Sequence, residues 1–382
     1  MFEADLIFDP DRSSHGHVHS SCIVECPNGD LLSVWYENGP KRDDHYYTKD
    51  ADKSDDVRIG AARLHRGAKE WSEPFVMCDT FGVADNSPCL AIDREERLWL
   101  VYSTMVGAPT KTWDSSILRY SVSSDYQKPG VPRWDKQEIL IIHPRGLDEV
   151  VARGADELRR FADWDNKNEA IARGLLERLN DPYARRLGWQ PRAHPLILSD
   201  GTLLIPLANE SFGVAAMAMT SDVGETWTIS QVVPGKLGVT EPSVAAFPDG
   251  KLVVFLRDDT DDHRIKRSES LDNGNAWSPI RATDLPNPSS GIEAILLRSG
   301  KLAMVYNDKE EEPRDRLAMS ISEDFGETWK WTRRLEDTHG QRFDYPSIIQ
   351  SRDGSLHVSY SYNLRTIKHV HFDEEWVTGE AL

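Results

Sequence analysis

Cysteine is scarce: there are four thiols in 382 residues, Cys22, Cys26, Cys78 and Cys89, and no two of them form a Cys-x-x-Cys pair. That spacing argues against a disulfide framework or a thiolate zinc knuckle and reads as buried free thiols. Long apolar runs are also missing. No stretch of about 18 apolar residues is available to cross a bilayer as a helix. The opening MFEADLIFDPDRSS lacks the basic region and apolar core of a secretory signal, so the expected location is cytoplasmic. Positive charge is in deficit. With 45 Lys and Arg against 63 Asp and Glu, the net charge of −18 repels nucleic-acid phosphates and anionic membrane surfaces. An anionic small molecule would need a local cluster of arginine.

What the chain does have is turn formers and anchors, 25 Gly, 21 Pro and 12 Trp, as in a turn-rich globular protein. They are organised by an internal repeat. TSDVGETW (220–227), SLDNGNAW (270–277) and SEDFGETW (322–329) share the form Ser/Thr-x-Asp-x-Gly-x-x-Trp, with Asp222, Asp272 and Asp324 spaced 50 and 52 residues apart. The carboxylate accepts turn N–H groups, the glycine supplies a backbone conformation costly to other residues, and the tryptophan packs beneath. The motif is therefore a folding device, and its spacing suits a propeller blade of four short strands.

A second phase of the repeat reads strand, turn, strand: SSCIVECPNGDLLSVWY, RAHPLILSDGTLLIPLA, EPSVAAFPDGKLVVFLR, GIEAILLRSGKLAMVYN and YPSIIQSRDGSLHVSYS, with SPCLAIDREERLWLVYS as a degenerate sixth member. A turn pair ending in glycine between alternating apolar runs is a strong hairpin signal. Six blades follow, and the expected fold is an all-β six-bladed propeller forming one domain over 1–382. The opening ADLIFD is expected to pair with the last blade and remove an exposed edge. Residues 144–189 break the pattern with helical spacing and few β-branched residues. They predict two or three helices inserted between blades two and three, read as a solvated face or, alternatively, a lid over the site.

The Asp-box repeats, together with EPSVAAFPDGKLVVFLR, RLAMSISEDFGETW and YPSIIQSRDGSLHVSY, resemble the sialidase (neuraminidase) superfamily over nearly the whole chain. The resemblance implies an arginine triad that grips the substrate carboxylate, a Tyr–Glu nucleophile pair and an Asp acid/base. Carried over by order and residue type, it implies Tyr345 as nucleophile, Glu241 as its helper, and Arg257 and Arg316 as two of the triad. The first triad arginine is missing, and His19 stands in its place. The loop PKRDDHYYTKD is where the acid belongs, with Asp44 as first choice and Asp43 and His45 beside it. Arg192 and His194, at the start of the third hairpin, are further candidate substrate contacts.

His15, His17 and His19 alternate, so an extended chain presents all three on one face. A polar mouth with one or two imidazoles facing substrate, surface histidines, and a metal site are the open readings. Without a carboxylate arranged to complete a coordination shell, no metal is assigned, and no cofactor is expected. Three functions compete. The first is an exo-acting glycoside hydrolase that cleaves a terminal acidic sugar. The second is a uronate-polysaccharide lyase, or a rhamnosidase-like enzyme, that uses His, Tyr and Arg. The third is a propeller that binds carbohydrate without catalysis.

Overall fold

The computed structural model describes residues 2–11, 16–107, 112–160 and 166–379. Six sheets follow one another along the chain, four of them four-stranded meanders, one with five strands, and the last with three consecutive strands and the opening strand of the chain. Blade one runs from Val18–Glu25 to Phe75–Cys78 and blade two from Ala84–Ile92 to Lys136–Ile139. Blade three ends at Thr228–Ile229, blade four spans Val239–Ala246 to Arg281–Pro286, blade five Glu293–Leu296 to Trp331–Asp337, and blade six Phe343–Gln350 to Thr366–Phe372. The opening strand Phe2–Leu6 pairs antiparallel with Thr366–Phe372, so the outermost strand of the last blade comes from the other end of the chain. The ring closes as the sequence predicts.

Local chemistry explains the elements. In all three full repeats the aspartate accepts from the backbone N–H four residues on: Thr226 to Asp222 at 2.9 Å, Ala276 to Asp272 at 2.9 Å and Thr328 to Asp324 at 2.8 Å. A Thr or Ser hydroxyl two residues earlier adds a bond of 2.8 Å to each carboxylate. Hydrogen bonds led by those of Thr226 hold the Asp222 carboxyl down to about 2. The degenerate hairpin of blade two lacks its glycine, and Glu96 takes the left-handed conformation instead, with φ 59°.

Middle strands such as Leu31–Asn38 and Leu98–Met105 are buried throughout, because each blade is covered on both faces by its neighbours. The apolar core is therefore divided among the seams between blades. One cluster joins Val101 and Tyr120 of blade two to Ile205 and Ala216 of blade three. The insertion forms α1 (Leu147–Arg160) and α2 (Asn166–Asn180). Leu147, Val150 and Val151 of α1 are buried in that same cluster, so one face of the insertion is part of the core. Among the described residues, no helix is long and apolar enough to cross a membrane.

Candidate active site

The hub is lined by the starts of the inner strands, and these share an irregularity. Register slips between His19 and Cys22, Asn86 and Cys89, Thr240 and Ser243, and Asp344 and Ser347. Within each slip one non-glycine residue sits in the left-handed region: Ser20 at φ 54°, Ser87 at 54°, Glu241 at 47° and Tyr345 at 48°. Such bulges redirect side chains, and strained backbone of this kind clusters at functional sites. Blade three solves the problem differently. Its inner strand breaks into Trp189–Gln190 and Leu196–Ile197, and Arg192 and His194 lie in the gap.

Tyr345 and Glu241 meet across the hub. The phenol donates to Glu241 Oε1 at 3.0 Å, and Arg257 Nη1 reaches the same carboxylate oxygen at 2.9 Å and the phenol oxygen at 3.1 Å. Arg192 lies over the Tyr345 ring with its guanidinium carbon 5.1 Å from the centroid, and its Nε is 3.3 Å from Glu241 Oε1. On the far side Arg192 stacks on Trp113 at 5.2 Å. Arg314 donates to Asp344 at 2.7 Å and to the Ser289 carbonyl at 2.5 Å, while Arg257 takes the Ser289 hydroxyl at 2.9 Å. Asp259, at 2.8 Å from Arg257 Nε, completes the brace. Gly291 leaves the space the phenol ring fills, since a Cβ there would lie 2.4 Å from Tyr345 Cδ1.

The electrostatics are polarised. Burial, reinforced by the Glu241 carboxylate, pushes the Tyr345 phenol up to about 12, against the pull of Arg192, Arg257 and Arg314. Burial alone would lower Arg192 and Arg257, but the adjoining Glu241 and Tyr345 outweigh it and keep both guanidinium groups charged. Arg192 Nη1 and Glu241 Oε2 are buried without a hydrogen-bond partner among the described residues. Unsatisfied charged groups at a strained, polar hub are what an incoming ligand satisfies.

The remaining sequence candidates divide. His19 is at the hub, edge-on to Tyr345 with ring centroids 4.6 Å apart, and its Nδ1 is 3.0 Å from Ser361 Oγ. Burial first, then His17 and the nearby guanidinium groups, lower its proton affinity well below the ordinary range, so the ring is neutral. His17 stacks on Tyr36 at 5.9 Å and meets His19 edge-on at 5.2 Å, whereas His15 lies outside the described residues. His194 faces protein groups. Its Nδ1 is 2.8 Å from Glu293 Oε1 and its Nε2 2.7 Å from the Ile23 carbonyl.

Arg316 lies apart from Tyr345. It opens a strand in register with Asp337 and pairs with that carboxylate at 3.2 Å, so Arg314 takes the position expected of it. Asp43 and Asp44 are exposed on the loop after blade one's second strand. His45 is buried beneath them against Tyr47 and Phe81. Arg42, paired with Asp79 at 3.1 Å, anchors that segment to the rim. Further along the same loop, Asn86 of blade two donates to the Asp52 carbonyl at 2.7 Å, and the charge of Asp52 acts on His17 and Tyr36.

A family model described as a BNR repeat-like domain matches residues 190–358. A sialidase of Bacteroides fragilis is 22% identical over 359 residues, covering 88% of this chain and 58% of that protein. The chain carries a six-bladed propeller similar to those of sialidases. It spans about half the length of the curated relatives it matches. Among solved structures, a Hadza microbial sialidase superposes on the propeller with TM-score 0.72 at 15% identity, covering 98% of this chain and 69% of that one. An α-L-arabinanase of Penicillium chrysogenum complexed with arabinobiose superposes at TM-score 0.63 and 14% identity, covering 98% of both. At such identities the likeness to solved structures is one of fold.

Proposed function

We propose that the protein is an exo-acting glycoside hydrolase that releases a terminal acidic sugar, sialic acid or a close relative, with Tyr345 as nucleophile. The observation that carries this reading is the Tyr345 phenol bonded at 3.0 Å to Glu241 amid three guanidinium groups. A phenol raised to about 12 is un-ionised at neutral pH, so Glu241 takes its proton as the oxygen attacks the anomeric carbon. A neutral nucleophile suits a sugar whose anomeric carbon bears a carboxylate, because two anions need not be forced together. Arg192, Arg257 and Arg314 hold that carboxylate, with Arg192 from blade three supplying the cation that blade one lacks at His19. The aglycone leaves with a proton from a carboxylic acid on the 39–56 loop. We take Asp52 for this role over the exposed Asp44 because its charge acts on His17. Water then attacks the same carbon, that carboxylate takes the water's proton, and the Tyr–sugar bond breaks as Glu241 returns the first proton.

The test is Tyr345→Phe assayed on aryl glycosides of acidic sugars. Turnover should fall by orders of magnitude with the fold intact, and undiminished turnover would eliminate the nucleophile. A second reading is favoured by His19, a neutral imidazole 4.6 Å from the Tyr345 ring where the superfamily has arginine. A uronate lyase would use such a base to remove an α-proton. New ultraviolet absorbance from unsaturated product on uronate-rich polymers, without hydrolysis of the aryl glycosides, would select it.

A further inference from the structure

We propose that blade six holds a divalent transition metal of the zinc type on His357, His369 and His371, as a clasp across the seam where the ring closes. The three residues share one face of the sheet. His369 and His371 alternate along Thr366–Phe372, and His357 on Leu356–Tyr362 stands directly opposite His371 in the antiparallel register. Their rings are stacked, with centroids 5.2 Å apart for His357 and His369, 5.4 Å for His357 and His371, and 5.8 Å for His369 and His371.

One ring nitrogen from each residue can be chosen so that all three lie within 4.8 Å of one another, and His357 Nδ1 is 3.0 Å from His369 Nε2. Tetrahedral zinc with bonds of about 2.0–2.1 Å holds its nitrogen ligands roughly 3.4 Å apart. The nitrogens are thus spaced near the tetrahedral value, and ring rotation must turn their lone pairs to one point. Two strands that bring two alternate histidines and one cross-strand histidine to a point make a facial set of three nitrogens.

A second observation points the same way. His369 is 1% exposed, and its Nδ1 has no hydrogen-bond partner among the described residues, so this buried imidazole is served only by another imidazole. An unsatisfied buried group of this kind calls for an ion or water. The donor set selects the ion, because imidazole nitrogen suits zinc, copper, nickel and cobalt, whereas calcium and magnesium take oxygen. Glu3 stands where a fourth ligand or a ring-orienting partner belongs. It is in register with His371, and its Oε2 is 3.5 Å from His371 Nε2. Entry is open, since His357 forms part of the wall of a surface cleft with Glu25, His65, Arg66, Arg352 and Asp353.

The location gives the site its consequence. Glu3 belongs to Phe2–Leu6, whose residues are all exposed and which closes the ring by pairing with the histidine-bearing strand. A metal on this face would cross-link the two ends of the chain and stabilise the closed propeller by mass action. It does not involve Tyr345 or Glu241, so it stands apart from the proposed hydrolysis.

The experiment uses the untagged full chain, stripped with a chelator and titrated with Co2+ and then Zn2+. One equivalent of Co2+ should bind with the intense visible bands of a tetrahedral site, Zn2+ should bleach them, and the thermal midpoint should rise with Zn2+. His357→Gln and His371→Gln, both at half-buried positions, should each weaken Zn2+ binding by at least about tenfold, the loss that removal of outer-shell partners alone can cause. His65→Gln, in the same cleft, should leave it unchanged. Circular dichroism of the metal-free variants separates loss of the site from loss of the fold. Absence of stoichiometric binding, or Zn2+ affinity indifferent to both ligand substitutions, would overturn the proposal and leave the three rings as a packed stack beneath Trp71.

Discussion

Gly291→Ala tests whether the position of the Tyr345 ring, rather than its mere presence, governs turnover. The added Cβ would lie 2.4 Å from Tyr345 Cδ1, 2.7 Å from Cε1 and 3.2 Å from Glu241 Oε2. Carbon atoms settle at about 3.5–4.0 Å, so the ring must retreat by roughly 1.1–1.6 Å. No left-handed backbone is involved at this glycine, so the substitution acts through space and not through φ. A retreat of that size breaks the 3.0 Å bond to Glu241 and the 3.1 Å contact with Arg257. Misplacing a reacting group by about 1 Å costs on the order of a hundredfold in rate. Overpacking should cost about 1–3 kcal/mol of stability. The assay pairs kcat on an aryl glycoside of an acidic sugar, the substrate class proposed above, with thermal unfolding of the same samples. A hundredfold loss of kcat at a modest cost in stability is the expected result. A variant that is destabilised yet turns over at the parental rate would refute the assignment of the Tyr345–Glu241 pair to catalysis.

Three further outcomes are expected. Arg314→Ala removes a charged hydrogen-bonding group of about 1.5–3 kcal/mol and should raise KM roughly ten- to a hundredfold. Arg316→Ala, which loses the partly exposed pair with Asp337 and a contact with the Asp308 carbonyl, should not raise it, and steady-state kinetics showing the reverse order would assign the clamp to Arg316. Asp52→Asn should lose far more rate on substrates with poor leaving groups than on activated ones, by about 10²–10⁴, whereas equal sensitivity at Asp44→Asn would return the acid to that position. Stability should fall as pH drops below about 6.5, because the unfolded His19 takes up a proton that the buried ring refuses. Each such histidine steepens the slope by up to about 1.4 kcal/mol per pH unit, and His357 and His369, lowered first by burial, act with the same sign. Thermal midpoints from pH 7 to pH 5 should therefore slope less steeply in His19→Gln, and an unchanged slope would mean that the folded His19 titrates normally.

The elements legible in the chain were those written in local chemistry. The Asp boxes and the turn pairs ending in glycine specify their own turns through bonds between residues two to four apart, so their period counts the blades and marks the insertion. Tyr345 and Glu241 were reached through the resemblance to sialidases, which marks the start of an inner strand in blades six and four, and a bulge with a left-handed residue occurs at each. Arg314 was not legible. It and Arg316 are two residues apart ahead of one Asp box, and only the register of Arg316 with Asp337 decides which side chain is held at the blade edge. Arg192 was named only as a further contact at the start of the third hairpin, because the break in the blade-three strand that brings it over Tyr345 has no sequence signal. Asp52 was hidden by loop geometry, as order along the chain cannot tell which carboxylate of 39–56 folds back toward His17.

The sequence by itself determined the number of blades and the place of the insertion, because these follow from short-range bonds and apolar periodicity that each repeat carries alone, while the side chains expected at the hub came from the resemblance to sialidases. The tertiary structure decided which guanidinium groups surround the phenol and which histidines stack on blade six. Those hub neighbours lie far apart in the chain, 88 residues for Arg257 and Tyr345 and 104 for Glu241 and Tyr345, and only the closed ring sets the distances between them.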